Sequence, residues 1–152
     1  MKTGSKSLLR VAVILILIIV ILLMCIFIPK SIEYSRYEKT GIMKNGNLCI
    51  SHMCDGGGGY DEEYYNSDNN VLSEIENFSV STTIGGSGAG TVFGKVYKPI
   101  NAGKSDIYVG YSKTGGEDIR YFELYHVEVD KDLNITYNME IIDKERFEQA
   151  QK

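Results

Sequence analysis

The chain has 152 residues with sixteen basic and twenty acidic side chains, a formal charge of −4, and its first thirty residues are unlike the rest. Twelve of the bases and all of the acids fall in residues 31–152, a balance of −8, which excludes a nucleic-acid binder that relies on a basic face to neutralise phosphates. About 120 residues remain for a folded unit, enough for one core.

Lys2, Lys6 and Arg10 mark residues 1–10 as a basic tail. Val11 to Ile28 follow as an unbroken apolar run of eighteen residues, VAVILILIIVILLMCIFI, stopped by Pro29 and Lys30. At about 1.5 Å per residue such a helix reaches roughly 27 Å, close to the hydrocarbon thickness of a bilayer. A removed secretory signal is the competing reading, but its apolar region is usually about 7–15 residues and ends in a small-residue cleavage site. No A-x-A pattern follows here, and Leu22-Leu23-Met24 lacks the small residue that precedes a lipid-modified cysteine at Cys25. The sequence therefore predicts a transmembrane helix over 11–28. The positive charges before it put the N-terminus in the cytoplasm and the rest outside, a single-pass protein of the cell membrane.

Residues 29–44, charged and tyrosine-rich without a period, read as a stalk. Residues 45–140 read as a β domain and 141–152 as a charged tail, helical or frayed. Asn47 to Ile50 form an early apolar strand, and the CISHMC segment holds Cys49 and Cys54, the two cysteines of the exported part. Outside the cytoplasm disulfides persist, so a short-loop Cys49–Cys54 disulfide is expected. With His52 between them these residues invite a zinc reading, yet three ligands without a second cluster make a poor site. No metal is expected.

Four consecutive glycines, Gly56 to Gly59, cost too much backbone entropy for a packed element, so residues 55–60 are a loop. The acids that follow, Asp61, Glu62, Glu63 and Asp68, lack the spaced oxygen pattern of a calcium loop and read as a solvated surface. Leu72, Ile75 and Phe78 share a helical face, whereas Phe78 and Val80 alternate, so 71–80 reads as a short turn leading into a strand. After the glycine cluster at 85–90, Val92 to Lys98 carries apolar groups on both faces, as a strand inside a sandwich does. Pro99 and the Asn101–Lys104 turn separate it from the alternating strand Ile107, Val109, Tyr111. In RYFELYHVEV, Phe122 and Leu124 share a face, and Tyr125, Val127 and Val129 hold the opposite phase. That change predicts a β-bulge near Leu124-Tyr125. A turn at Asp130–Asp132 then leads to a last strand through Tyr137. Six or seven short strands with glycine-rich connections specify an immunoglobulin-like antiparallel β-sandwich.

Chemistry is sparse. Gly86-Ser87-Gly88 lacks the third glycine of a dinucleotide fingerprint, no Gly-Lys-Ser/Thr occurs, and a strand follows instead of a helix. His52 and His126 have no nucleophile motif around them. Neither an enzyme nor a cofactor is implied, and loops held on a rigid scaffold remain as the means of binding.

Three of these loops, in this order, resemble those of the chagasin-like family of cysteine-protease inhibitors. Gly58-Gly59-Tyr60 is similar to the end of that family's N-P-T-T-G-Y/F loop. Gly86-Ser87-Gly88-Ala89-Gly90 is similar to its glycine-rich second loop. Tyr111 followed by Ser112-Lys113-Thr114 is similar to the third, with Lys113 where the family has the arginine of R-P-W. The chain lacks the N-P-T-T residues and the tryptophan. The resemblance implies an immunoglobulin-like sandwich whose loops wedge into a papain-like cysteine protease. A membrane-tethered adhesion or envelope-assembly module, binding another envelope protein, is the alternative.

Overall fold

Leu48, Ile50 and Cys54 alternate with Cys49, Ser51 and Met53 along one strand, and that period of two organises the whole β region. The computed structural model describes residues 4–37, 39–54, 61–81, 90–112 and 120–152. Two units divide the chain, Met1–Arg36 and Tyr37–Lys152.

The described part of the first unit belongs to helix α1 (Gly4–Tyr37), whose last residue falls in the second unit. Every side chain from Val13 to Met24 is a large apolar one with 40% to 61% of its surface exposed, on all sides of the helix. Side chains of α1 are described only at 12–25 and 35–37. Among the described residues no helix is long and apolar enough to cross a membrane.

The second unit is a β-sandwich of two four-stranded antiparallel sheets. One has the order β1 (Gly41–Ile42), β2 (Leu48–Cys54), β5 (Thr91–Pro99), β4 (Leu72–Ser81). The other has the order β3 (Glu62–Asn66), β6 (Gly103–Ser112), β7 (Arg120–Val129), β8 (Ile135–Ile141). Leu48, Ile50, Phe93 and Tyr97 from the first sheet pack between the layers with Ile107, Val109, Tyr125 and Val127 from the second. β5 is covered on both faces as its composition predicts: Phe93 and Tyr97 point inward, and Val92 and Val96 are equally buried on the outward face. There Tyr37 stacks on Phe78 at 4.1 Å and donates to Glu76 Oε1 at 2.5 Å. Gly94 lies beneath that face at φ +156°, and a Cβ on it would collide with the Ile50 carbonyl and come within 3.0 Å of the Phe78 ring.

The expected Cys49–Cys54 disulfide does not form. Both cysteines lie on β2, five residues apart, and an extended strand separates their Cα atoms by about 16 Å, far beyond the reach of a disulfide. The odd spacing also sends them to opposite faces. Cys54 joins the inter-sheet core, and Cys49 is buried on the outward face.

β7 contains no bulge, since it pairs without a break to β6 from Arg120 to Val129. Its two phases have a different cause, because both of its faces are covered. Tyr125, Val127 and Val129 face the core, whereas Phe122 and Leu124 face outward under helix α2 (Lys144–Ala150). The bulge falls instead in β4, between Glu74 and Glu76. The extra residue, Ile75, is 50% exposed, and it accounts for the helix-like spacing of Leu72, Ile75 and Phe78 in a segment that is strand throughout. The acidic stretch after residue 60 is likewise a strand, β3, on the edge of the second sheet.

The C-terminal tail is part of the domain. Asp143 caps α2 by accepting from the Arg146 N–H at 2.8 Å, a favourable arrangement at a helix start. Phe147, 2% exposed, lies 5.0 Å from the Phe122 ring. Gly110 leaves room for it, since a Cβ there would come within 3.1 Å of the Phe147 ring.

Candidate functional site

The register fixes where the connecting segments depart. In the first sheet Cys54 pairs with Thr91, and Thr91 pairs with Ser81. In the second, Glu62 pairs with Tyr111, and Ser112 with Arg120. These strand ends bound residues 55–60, 82–89 and 113–119. Of the loop residues singled out in the sequence, Gly58, Gly59, Tyr60, Gly86, Ser87, Gly88, Ala89, Lys113 and Thr114 lie outside the described residues, and Gly90 directly precedes β5.

Beneath these ends the sandwich interior changes from aliphatic to polar and aromatic. His52 on β2 and Glu123 on β7 meet across the two sheets, Nε2 to Oε2 at 3.0 Å. Tyr125 donates to the same oxygen at 2.6 Å, and Tyr111 on β6 donates to Oε1 at 2.8 Å. The Tyr64 hydroxyl on β3 lies 3.4 Å from His52 Nδ1. The His52 ring packs 3.9 Å from the Tyr111 ring and 5.9 Å from that of Phe93 on β5. Five strands thus contribute to one cluster, and on each of them a member lies within three positions of an end that bounds a loop.

Burial works against a charge on Glu123, yet the hydrogen bonds from His52, Tyr125 and Tyr111 outweigh it and hold its carboxyl down at about 2. An ionised carboxylate only accepts, so the His52 nitrogen facing it carries the proton. Burial, and then the bond to Glu123, push the Tyr111 and Tyr125 hydroxyls well above the usual phenol range, so both remain donors. Nearby, Lys95 reaches Glu74 at 2.7 Å and lies 5.1 Å over the Tyr64 ring. Arg120 bridges Asp61 at 3.0 Å and Glu63 at 3.1 Å. Burial raises the Glu62 carboxyl, one oxygen of which is buried without a hydrogen-bond partner.

The cluster opens on one side into a cleft of about 480 Å³ between β2 and β8, where Met53, Tyr137 and Met139 join His52, Tyr111 and Glu123 in its lining. His126, the other histidine, lies on the outward face of β7, with Asp106 at 2.8 Å and Glu140 at 3.2 Å. Among the described residues no group of three or more metal-ligating side chains converges.

No family model matches the sequence, and no curated protein or solved structure matches it.

His52 and Glu123 were accessible to pattern reading. His52 shares the phase of Leu48, Ile50 and Cys54, and Glu123 that of Tyr125, Val127 and Val129, so each is a polar residue on a core-facing position. A strand that ends at Ile50 conceals the first, and a bulge near Leu124-Tyr125 conceals the second.

Proposed function

We propose that this chain is a membrane-anchored, extracytoplasmic protein-binding module of immunoglobulin-like type, which engages a partner with three loops and performs no chemistry of its own. The reading is carried by one observation: the strand ends bounding residues 55–60, 82–89 and 113–119 form two adjacent rows, joined beneath by the His52–Glu123 contact. Loops that leave from one end of a rigid scaffold lose less entropy on binding than loops without such support. Taking β1 to β7 as strands A to G, the order is ABED against CFG, the immunoglobulin constant arrangement, with β8 added beside G. The three loops are then B–C, D–E and F–G.

The partner class is the papain-like cysteine protease that the chagasin-like resemblance of Gly59-Tyr60, Gly86–Gly90 and Tyr111–Thr114 implies, blocked sterically at its cleft. Anchoring rests on the apolar run 11–28, which extends beyond the side chains described for α1, and on the exposed apolar surface of Val13 to Met24. In water that surface is costly, at about 25 cal/mol per Å² of apolar area, and lipid removes the cost.

The test uses the full chain in detergent micelles, titrated against papain with a fluorogenic peptide substrate. Inhibition at micromolar protein that is lost when residues 86–89 are replaced by an unrelated sequence supports the reading. No inhibition at that concentration removes the protease as partner. An adhesion module would then be favoured by the exposed aromatic side chains Tyr65 and Tyr121, since such residues commonly anchor interfaces. Retention in the membrane fraction through an alkaline wash tests the anchor separately.

A further inference from the structure

We propose that the cleft between β2 and β8 is a binding site for an alkylammonium cation, with the charge directed to Glu123 and the hydrocarbon stem against Tyr137, Met53 and Met139. This site lies on the flank of the sandwich and does not depend on what the loops bind.

The opening has a structural cause. β1 pairs with β2 only at Leu48 and Cys49. Beyond that point no strand among the described residues covers the β2 edge, and the Thr40 hydroxyl takes the place of one, accepting from the Ser51 N–H at 2.9 Å and donating to the Ser51 carbonyl at 3.0 Å. Opposite, β8 extends for seven residues. Its inward-phase residues Tyr137 and Met139 are 36% and 44% exposed because the first sheet is too narrow there to cover them. A gap of about 480 Å³ is left, with room for a ligand the size of a lysine side chain.

The lining selects the ligand. Glu123 faces the cleft with 13% of its side chain exposed, and it remains ionised. Its donors are two neutral phenols and a ring N–H, and its Oε1 accepts only from Tyr111 among the described bonds, although a carboxylate oxygen can accept two. Among the described residues no lysine or arginine lines the cleft. Lys95 is engaged with Glu74, and Arg120 with Asp61 and Glu63. An anion would be repelled, and a neutral apolar ligand would desolvate the carboxylate without compensation. A cation gains from the charge and also from aromatic faces, since the rings of Tyr125 and Tyr137, 6.1 Å apart, and of Tyr111 surround the opening, and π-faces attract ammonium groups. Methionine thioethers suit a flexible methylene stem.

The cation has two possible sources, a free small amine or the lysine side chain of a peptide. Tyr111, Tyr125 and Tyr137, three of the chain's eleven tyrosines, line the cleft, and with no tryptophan to mask them a ligand there should change the intrinsic tyrosine fluorescence, the cleft variants assigning the change. The full chain in detergent micelles is titrated with butylammonium, with a short acetylated peptide containing one lysine, and with butanol and butanesulfonate as neutral and anionic controls. Saturable binding of butylammonium or the peptide, but of neither control, is expected. Binding of the peptide about tenfold tighter than butylammonium identifies a peptide source, and equal affinity a free amine. Tyr137→Ala, at the exposed mouth and outside the Glu123 hydrogen bonds, should weaken binding several-fold while leaving the unfolding midpoint nearly unchanged. Glu123→Gln should abolish the preference for cation over butanol. No saturable binding by folded protein at about 10 mM probe, or unchanged binding by Tyr137→Ala, overturns the proposal.

Discussion

His52 and Glu123, separated by 71 positions in the chain, meet in the interior of the sandwich at 3.0 Å, and Tyr111 and Tyr125 also donate to the carboxylate. A charge-assisted bond of this kind is worth more than a neutral one, and removing a single partner leaves the others buried and unsatisfied. Glu123→Ala should therefore cost about 2–4 kcal/mol in urea unfolding, and Glu123→Gln less, because its amide oxygen still accepts. His52→Ala combined with Glu123→Ala should cost clearly less than the two single losses added together. Simple additivity would mean that the contact contributes nothing to stability.

The same bonds give the fold an acid limit. The Glu123 carboxyl is held at about 2 in the folded protein against an ordinary value of 4.5. A carboxyl whose folded value is depressed contributes stability that is present above its unfolded value and lost as pH falls through the folded value. Stability should decline between about pH 4.5 and about pH 2, by a few kcal/mol at most because some solvent reaches the side chain. Asp130 and Glu140 are also depressed, so the contribution of Glu123 is read as the difference between wild type and Glu123→Gln across that window. The two curves should converge toward pH 2.

Because Cys49 and Cys54 are not joined, redox state should leave the fold unchanged. Denatured chain should titrate three thiols, Cys25 included, with or without prior treatment by reductant, and the unfolding midpoint should be the same in both cases. One thiol before reduction and three after it would point to a disulfide that the β2 geometry excludes.

The sequence was legible wherever one face of a strand is apolar and the other is not, as in Ile107, Val109 and Tyr111. It misled wherever both faces are covered. Phe122 and Leu124 look out of phase with Tyr125 and Val127 until Phe147 is placed over them, and nothing local in the 120s announces a helix twenty residues later. Ile75 misled for the opposite reason, since a bulge adds one residue and imitates a helical interval. At the candidate site the phase of His52 and Glu123 was readable, but their meeting depends on which strands face each other, a property of topology that no single segment carries.

The tail offers the clearest test of a helix too short to stand alone. α2 has seven residues, well under the length at which an isolated helix is stable in water, so its structure depends on the Asp143 cap and on Phe147. Phe147→Ala should destabilise the domain by about 3–5 kcal/mol and release the helix, because the ring is buried against Phe122 and the space left by Gly110 would become a cavity. Asp143→Ala should cost about 1 kcal/mol, the usual value of a lost cap. Amide exchange in residues 144–150 should accelerate in both variants, whereas the β2–β5 amides of Phe147→Ala should exchange faster only to the extent that global stability falls. A Phe147→Ala protein with unchanged stability would mean that the tail is frayed and that Phe122 and Leu124 are covered in some other way.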